Sequence, residues 1–339
     1  HELDRINRGG TKTKAGQVWP DWHQELKKFR NPSNLEATFQ LICTIIPYCL
    51  LWYLMVRSIL LGHLLSTVIL AILAAAFLVR LFILFHDCVH NSFFMSKRGN
   101  TFFGHLLGVL VFTSFEDWRF THLRHHGTYA NLDSRGFGDI WTMTLNEYQK
   151  SSSMKQLRYR LYRNPIVMVG LGALFNFLLY NRIPDLRVKR KERMSVVLTN
   201  LLILAVALAA AEIIGWRAYL LIQLPVLWLA GCAGIWLFYV QHQFEGVYWA
   251  RKNEWQPLRA AMEGSSFYCL PTLLRWFSGS IGYHHIHHLD PLIPCYHLKK
   301  CYDSVLELQA KSPLTLVSSL KCYRLKLWDE DLREMVAFP

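Results

Sequence analysis

Histidine is the residue whose number and spacing in this chain could do chemistry. Fifteen occur, and most fall in tight groups. The first group is His86-Asp87-Cys88-Val89-His90, the second His122-Leu123-Arg124-His125-His126, and the third His284-His285-Ile286-His287-His288. Residues three and four apart on a helix share a face, so His86 projects with His90, and His122 with His125 and His126. At about 100° per residue, from 3.6 residues per turn, His284, His287 and His288 fall in one sector. His285 falls to its side, where it either supports the others from behind or faces solvent. His242, in Gln241-His242-Gln243, stands alone and counts as a ninth ligand from its expected place beside the groups. His1, His23, His63, His105 and His297 are scattered.

If the fold brings these nine imidazoles together, they imply metal. Protonated, they would repel one another; neutral, they would compete for donors. A cation resolves both problems, because neutral imidazole is the ligand form. A closed structural zinc site takes four ligands, usually including cysteine. Nine histidines are too many for one ion and suit two. Imidazole binds Zn, Cu, Fe and Ni alike, so the ligands alone do not choose among them. One HxxxH in isolation is as easily a solvated, pH-sensitive cluster. Three ordered groups, with apolar segments between the second and third, argue against that reading.

The elements that must position these groups are membrane spans. The chain is 52% hydrophobic, with a mean hydropathy of +0.16. A helix crosses the hydrocarbon core with about 20 apolar residues. Four segments qualify: 35–59, 64–85, 194–214 and 219–240. Short turns at Leu60–His63 and Gly215–Ala218 make them two hairpins. Two shorter runs, Phe102–Phe112 and Val167–Leu179, are expected as helices in the interface or packed on the bundle. Arg80, inside the second span, is expected to reach out to the headgroups.

The net charge is +13. Lys27, Lys28 and Arg30 in the leader, Arg187 to Arg193 in the middle and Arg251, Arg259, Lys299 and Lys300 near the end carry part of it, while the two turns hold almost none. The positive-inside rule then puts leader, middle and tail on the cytoplasmic side. A hairpin returns the chain to its starting side, so topology and charge agree. In so apolar a chain nucleic acid is the least fitting reason for the charge. The expected fold is an all-α integral membrane protein, with four transmembrane helices in two hairpins and a cytoplasmic helical cap holding the metal site. Its parts are a leader (1–34), a membrane domain (35–301, with cytoplasmic segments 86–193 and 241–301) and a cytoplasmic tail (302–339). Val18, Trp19, Trp22, Leu26 and Phe29 predict an amphipathic interfacial helix in the leader, and Ser33 or Asn34 caps the first span. No cleavable signal peptide is expected. The eight cysteines contain no CxxC pair, so neither a disulfide framework nor a zinc finger is expected.

The ordered groups at His86–His90, His122–His126 and His284–His288 resemble the membrane fatty acid desaturase superfamily. Stretches such as HDCVHNSFF, FYVQHQFEGVYW and GSIGYHHIHHLDPLIP resemble its acyl-lipid branch of bacterial type. The first group has three residues between its histidines, as in acyl-lipid enzymes, where acyl-CoA enzymes typically have four. The resemblance implies that His86, His90, His122, His125, His126, His242, His284, His287 and His288 hold two iron ions. It implies O2 as co-substrate, acyl chains of membrane lipids as substrate, and two electrons delivered singly by a ferredoxin or a cytochrome b5. No nicotinamide or flavin fingerprint occurs, so the electrons need a separate donor. The acyl-CoA branch carries an amide side chain one turn before the lone ligand histidine; here that place is Phe238.

Metal-bound imidazole usually gives its other N–H to a carboxylate or carbonyl. Asp139 and Asp290 are the first candidates for that support, with Asp87 and His285 beside them. Trp118 and Trp141 are candidates to line an acyl tunnel; Trp249 and Trp276 fit an interfacial aromatic belt. The cytoplasmic lysines and arginines also suit docking of an acidic electron carrier. Two alternatives stand beside the desaturase: a lipid or carotenoid hydroxylase or ketolase using the same histidine cage, and a membrane metal transporter or sensor. Transporters place polar ligands at mid-membrane, and the mid-span regions here are almost free of His, Asp and Glu.

Overall fold

The computed structural model describes residues 10–12 and 18–339. Among the described residues, four helices are long and apolar enough to cross a membrane: α1 (Asn34–Leu60), α2 (Leu64–His90), and further along the chain Arg190–Ile214 and Trp216–His242. In lipid every backbone polar group must be paired within the segment, which a helix achieves alone. Ser33 accepts from the Glu36 amide at 3.3 Å and caps α1. Gly62, at φ +76°, lets the chain reverse into α2. As expected from the first histidine group, α2 runs past its apolar stretch to end at His90.

Between the hairpins lie α3 (Lys97–Leu110), α4 (Phe115–Thr128) and α5 (Ser153–Tyr162). The short apolar run at Phe102–Phe112 thus forms most of α3, which packs on the bundle at two glycines. A Cβ on Gly104 would lie 2.2 Å from the Phe115 ring, and one on Gly108 2.5 Å from the Thr113 carbonyl. The run at Val167–Leu179 forms a π-type turn, a helix and a 3-10 turn over residues 166–182, bent 67° from α5. The second hairpin is α6 (Arg190–Ile214) and α7 (Trp216–His242), joined by Gly215 alone at φ +81°. Almost all of α6 faces outward, with only 6% of its apolar window buried, as a lipid-facing helix requires.

After α7 the chain forms α8 (Thr272–Phe277), α9 (His284–Leu289) and α10 (Cys295–Ser304). The fold is mostly helical, as the all-α expectation requires, with three short two-stranded pairs among the described residues. Phe267–Cys269 pairs in parallel with Pro313–Thr315, and Leu327–Asp329 pairs antiparallel with Glu334–Val336. The Trp328 amide donates to the Met143 carbonyl at 3.0 Å. The tail, continuous with α10 across the expected boundary at 301/302, is therefore folded back onto the segments that carry histidines.

The expected leader helix is present as a 3-10 helix at Asp21–Phe29 with Leu26 fully buried, while Val18–Pro20 before it is extended. His297 Nδ1–H donates to the Phe29 carbonyl (3.0 Å), and the Ser33 amide donates to the Tyr296 hydroxyl (3.1 Å). Trp19, Trp22 and Phe29 pack, partly buried, against the core. Arg80 does not reach the headgroups; it is 3% exposed. Its guanidinium donates to Thr44 Oγ1 (3.1 Å), Gln40 Oε1 and the Trp276 carbonyl, and lies 3.9 Å over the Trp276 ring. Local protein acceptors replace water for a charge the bilayer would not solvate.

Candidate metal centre

The histidines come from the ends of elements. The last turn of α2 supplies His86 and His90, and α4 supplies His122, His125 and His126. His242 is the final residue of α7, and α9 supplies His284, His287 and His288. Gly279 sets the approach to α9: it has φ +53°, and a Cβ there would meet Ile83 at 2.6 Å. Seven of the nine rings are buried; His126 and His288 are partly so.

The rings form two groups. His86, His90, His122, His126 and His287 present ligand atoms all within 4.8 Å of one another, and His125, His242 and His288 do the same. His284 joins the second group through His242, with their Nε2 atoms 3.0 Å apart. The other Nε2 separations are 2.9 Å for His90–His122, 3.1 Å for His122–His126, 3.0 Å for His126–His287 and 3.2 Å for His125–His242. Hydrogen bonding satisfies such a run poorly. The Nε2 of His122 and that of His126 each face two other nitrogens, and each carries one proton or one lone pair. Nitrogens bound to a first-row metal at about 2.1 Å and 90° to one another lie about 3.0 Å apart. The separations are therefore those of donor atoms arranged about a shared cation.

Electrostatics agrees. Burial first, and the neighbouring histidines second, hold His122, His126, His284, His287 and His288 well below the ordinary imidazole value. These rings are neutral near pH 7, which is the form that binds metal. Nδ1 of His126 and of His284, with Nε2 of His288, are buried without a hydrogen-bond partner.

Support from behind the rings is partly as expected. Asp139 Oδ1 accepts from His125 Nδ1–H at 2.5 Å. Asp87 places Oδ1 3.3 Å from His86 Nδ1, while its Oδ2 accepts from the Cys295 amide at 2.6 Å. Asp290 does not serve a cage ring. It is ion-paired with Arg30 of the leader and accepts from the Leu292 amide at 3.3 Å, a turn role. His285 is neither ligand nor solvent-facing: it is fully buried, and its Nε2–H donates to the Leu308 carbonyl at 3.3 Å.

Of the two tunnel candidates, Trp118 stacks on His122 at 4.2 Å and 13°, with Phe82 and Phe85 at its edges. Trp141 is 40% exposed and packs on Tyr159 and Tyr162, with no ring contact to a cage histidine among the described residues. Trp249, expected in the interfacial belt, is buried against Tyr129. Sequence reasoning missed Tyr129, whose ring lies 4.1 Å from His242 and 5.2 Å from both His125 and His288. The signal was present, since Tyr129 is four residues after His125 and on its helical face. Phe238 lies 5.0 Å from His242 and 5.5 Å from His125, and a phenyl ring offers no ligand atom.

Known proteins are similar to this chain. The sequence profile of the fatty acid desaturase family matches residues 62–319, which takes in all nine cage histidines. A fatty acid desaturase of Bacillus subtilis is 45% identical over 93% of this chain and 89% of its own length. An sn-1 oleoyl-lipid 12-desaturase of Synechocystis is 23% identical over 67% of this chain and 64% of its own. A temperature-sensitive sn-2 acyl-lipid omega-3 desaturase (ferredoxin) of Arabidopsis thaliana is 27% identical over 66% of this chain and 53% of its own. A buried double histidine group at the end of two apolar hairpins, and a profile match over most of the sequence, place this chain in the fatty acid desaturase family.

Proposed function

We propose that this chain is an O2-dependent di-iron desaturase that introduces a cis double bond into acyl chains of membrane lipids. The observation that carries the reading is the pair of buried histidine groups, five rings and four, whose closest ring nitrogens lie about 3 Å apart. His86, His90, His122, His126 and His287 would hold one iron; His125, His242, His284 and His288 the other. Two irons so held supply the redox chemistry that, with O2 and two electrons, removes two hydrogens from an unactivated CH2–CH2 unit. The protein's part is positional. Asp139 and Asp87 fix which nitrogen of His125 and His86 faces inward. Trp118, stacked on His122 between Phe82 and Phe85, provides an apolar wall against which an acyl chain can lie without water.

Electrons must come from a separate carrier. Ferredoxin and cytochrome b5 are the two chemical classes that deliver them singly, and the name of one Arabidopsis relative specifies ferredoxin. The positive-inside rule favours a cytoplasmic site with both termini on that side, where such a carrier would dock. The test is expression in a host lacking polyunsaturated lipids, followed by fatty-acid profiling with double-bond localisation. Wild type should yield acyl products two hydrogens lighter, and His125→Ala none at comparable membrane abundance. Products that gain oxygen would instead identify a hydroxylase. Purified protein should carry near two irons per chain; stoichiometric zinc with activity intact would overturn the redox assignment.

A further inference from the structure

Arg163 is a fully buried cation outside the cage. It follows directly on α5, and among the described residues no carboxylate pairs with it. Its acceptors are all neutral. Nη1–H donates to the Trp141 carbonyl (3.2 Å) and, at 3.5 Å, faces Thr142 Oγ1. Nη2–H reaches Gln243 Oε1 (2.8 Å), the Leu325 carbonyl (2.7 Å) and the Tyr239 hydroxyl (3.3 Å). Gln243 closes the network by donating from Nε2 to Thr142 Oγ1 at 3.1 Å. Tyr239 in turn donates from its hydroxyl to the Cys322 and Leu325 carbonyls, each at 3.0 Å.

Burying an ion without a partner of opposite charge is expensive, and an apolar side chain of similar volume is often the more stable solution. A guanidinium kept there is best explained by what its fixed fork of donors can join. Two of the three segments it joins support the four-histidine group. Gln243 directly follows His242. Trp141 and Thr142 follow Asp139 by two and three residues, and Asp139 holds His125. The Nε2 atoms of His125 and His242 lie 3.2 Å apart. The third segment is the tail at Leu325. None of the acceptors belongs to a segment that supplies the five-histidine group.

We propose that Arg163 is the positioning residue of the four-histidine half of the centre, tying the supports of His125 and His242 to the C-terminal tail, so that this half alone depends on it. The proposal rests on reading the histidines as two metal sites. A structural role for Arg163 would weaken both halves together; a positioning role weakens one.

The test is Co(II) titration of metal-free, detergent-purified protein, followed by absorbance and by elemental analysis after desalting. Wild type should bind two equivalents. Arg163→Gln should keep one equivalent at wild-type affinity and weaken the other about 10- to 100-fold, the range for losing a support behind a metal ligand. Gln243→Met, which leaves the guanidinium and its other acceptors in place, should weaken the same single equivalent and stands in if Arg163→Gln fails to fold. Two unweakened equivalents in both variants, or equal weakening of the two sites, would overturn the proposal while leaving the two-metal reading intact. Fewer than two equivalents in wild type would overturn that reading, and the proposal with it.

Discussion

Asp139 accepts a hydrogen bond from Nδ1 of His125 at 2.5 Å, and thereby fixes Nε2 of His125 as the nitrogen that faces His242. Both side chains are nearly buried, so water cannot replace the bond. Asp139→Asn puts a neutral amide where the carboxylate stood and weakens control of the tautomer. The expected result is 10- to 100-fold weaker binding at one of two metal equivalents, with matching loss of unsaturated product. Metal titration and fatty-acid profiling on the same preparation check it. Unchanged binding would show that the aspartate only turns the 136–139 loop.

Adjacent histidines of the third group should respond oppositely to substitution. His288 lies 5.0 Å from His242 and 4.6 Å from His284, ring to ring, inside the cage. His285 points away, toward Phe267, Tyr302 and the Leu308 carbonyl. His288→Gln is therefore expected to lose one metal equivalent and the product. His285→Gln should retain both and lose at most about 1 kcal/mol of stability, because the glutamine amide can still donate to the Leu308 carbonyl. Elemental analysis beside a thermal melt separates the two outcomes; loss of metal in His285→Gln would contradict the assignment of the ring sectors.

The cage and the hairpins were legible in the sequence because each rests on a local rule. Helical spacing of three and four put His122, His125 and His126 on one face, and runs of about 20 apolar residues marked the spans. What was not legible depends on contacts between distant segments. Asp290 reads as support for the cage until Arg30, 260 residues away, is seen to take it. Trp141 sits two residues from Asp139 yet turns outward onto Tyr159. The Arg163 network joins residues 141, 243 and 325, which no periodicity connects.

Arg80 makes the same point inside the membrane and gives a test. An arginine reaching for the headgroups tolerates lysine, which also has a long apolar stem. An arginine that binds Gln40, Thr44 and the Trp276 carbonyl at once does not, because one ammonium lacks the planar fork. Arg80→Lys and Arg80→Leu should both lower stability, read as a lower thermal midpoint in detergent, Leu more, at a cost of about 1–3 kcal/mol per buried acceptor left unpaired. Since Trp276 leads through Gly279 into α9, metal retention should fall in parallel. A wild-type midpoint in Arg80→Lys would restore the headgroup reading.

Lys326 supplies a pH test of the tail. Its ammonium donates to the Arg163 carbonyl at 2.6 Å in a nearly buried position. Burial first, and the positive charge of Arg163 second, push its pKa down to about 8. An unfolded lysine titrates near 10.4. Between these values the unfolded chain holds the proton and the folded chain has released it, so stability rises with pH through that window. Below about 8 both states are protonated and the full penalty of the buried charge is present; above about 10 it is gone. Lys326→Met removes the group that titrates. The thermal midpoint of wild type relative to Lys326→Met should therefore improve from pH 8 to pH 10 and stay level from pH 6.5 to 7.5. Lys311, also pushed down to about 8 by burial, is common to both proteins and cancels in the difference. A difference that does not move with pH would mean that Lys326 is solvated in the folded protein, and that the tail does not close over Arg163 as tightly as its hydrogen bonds require.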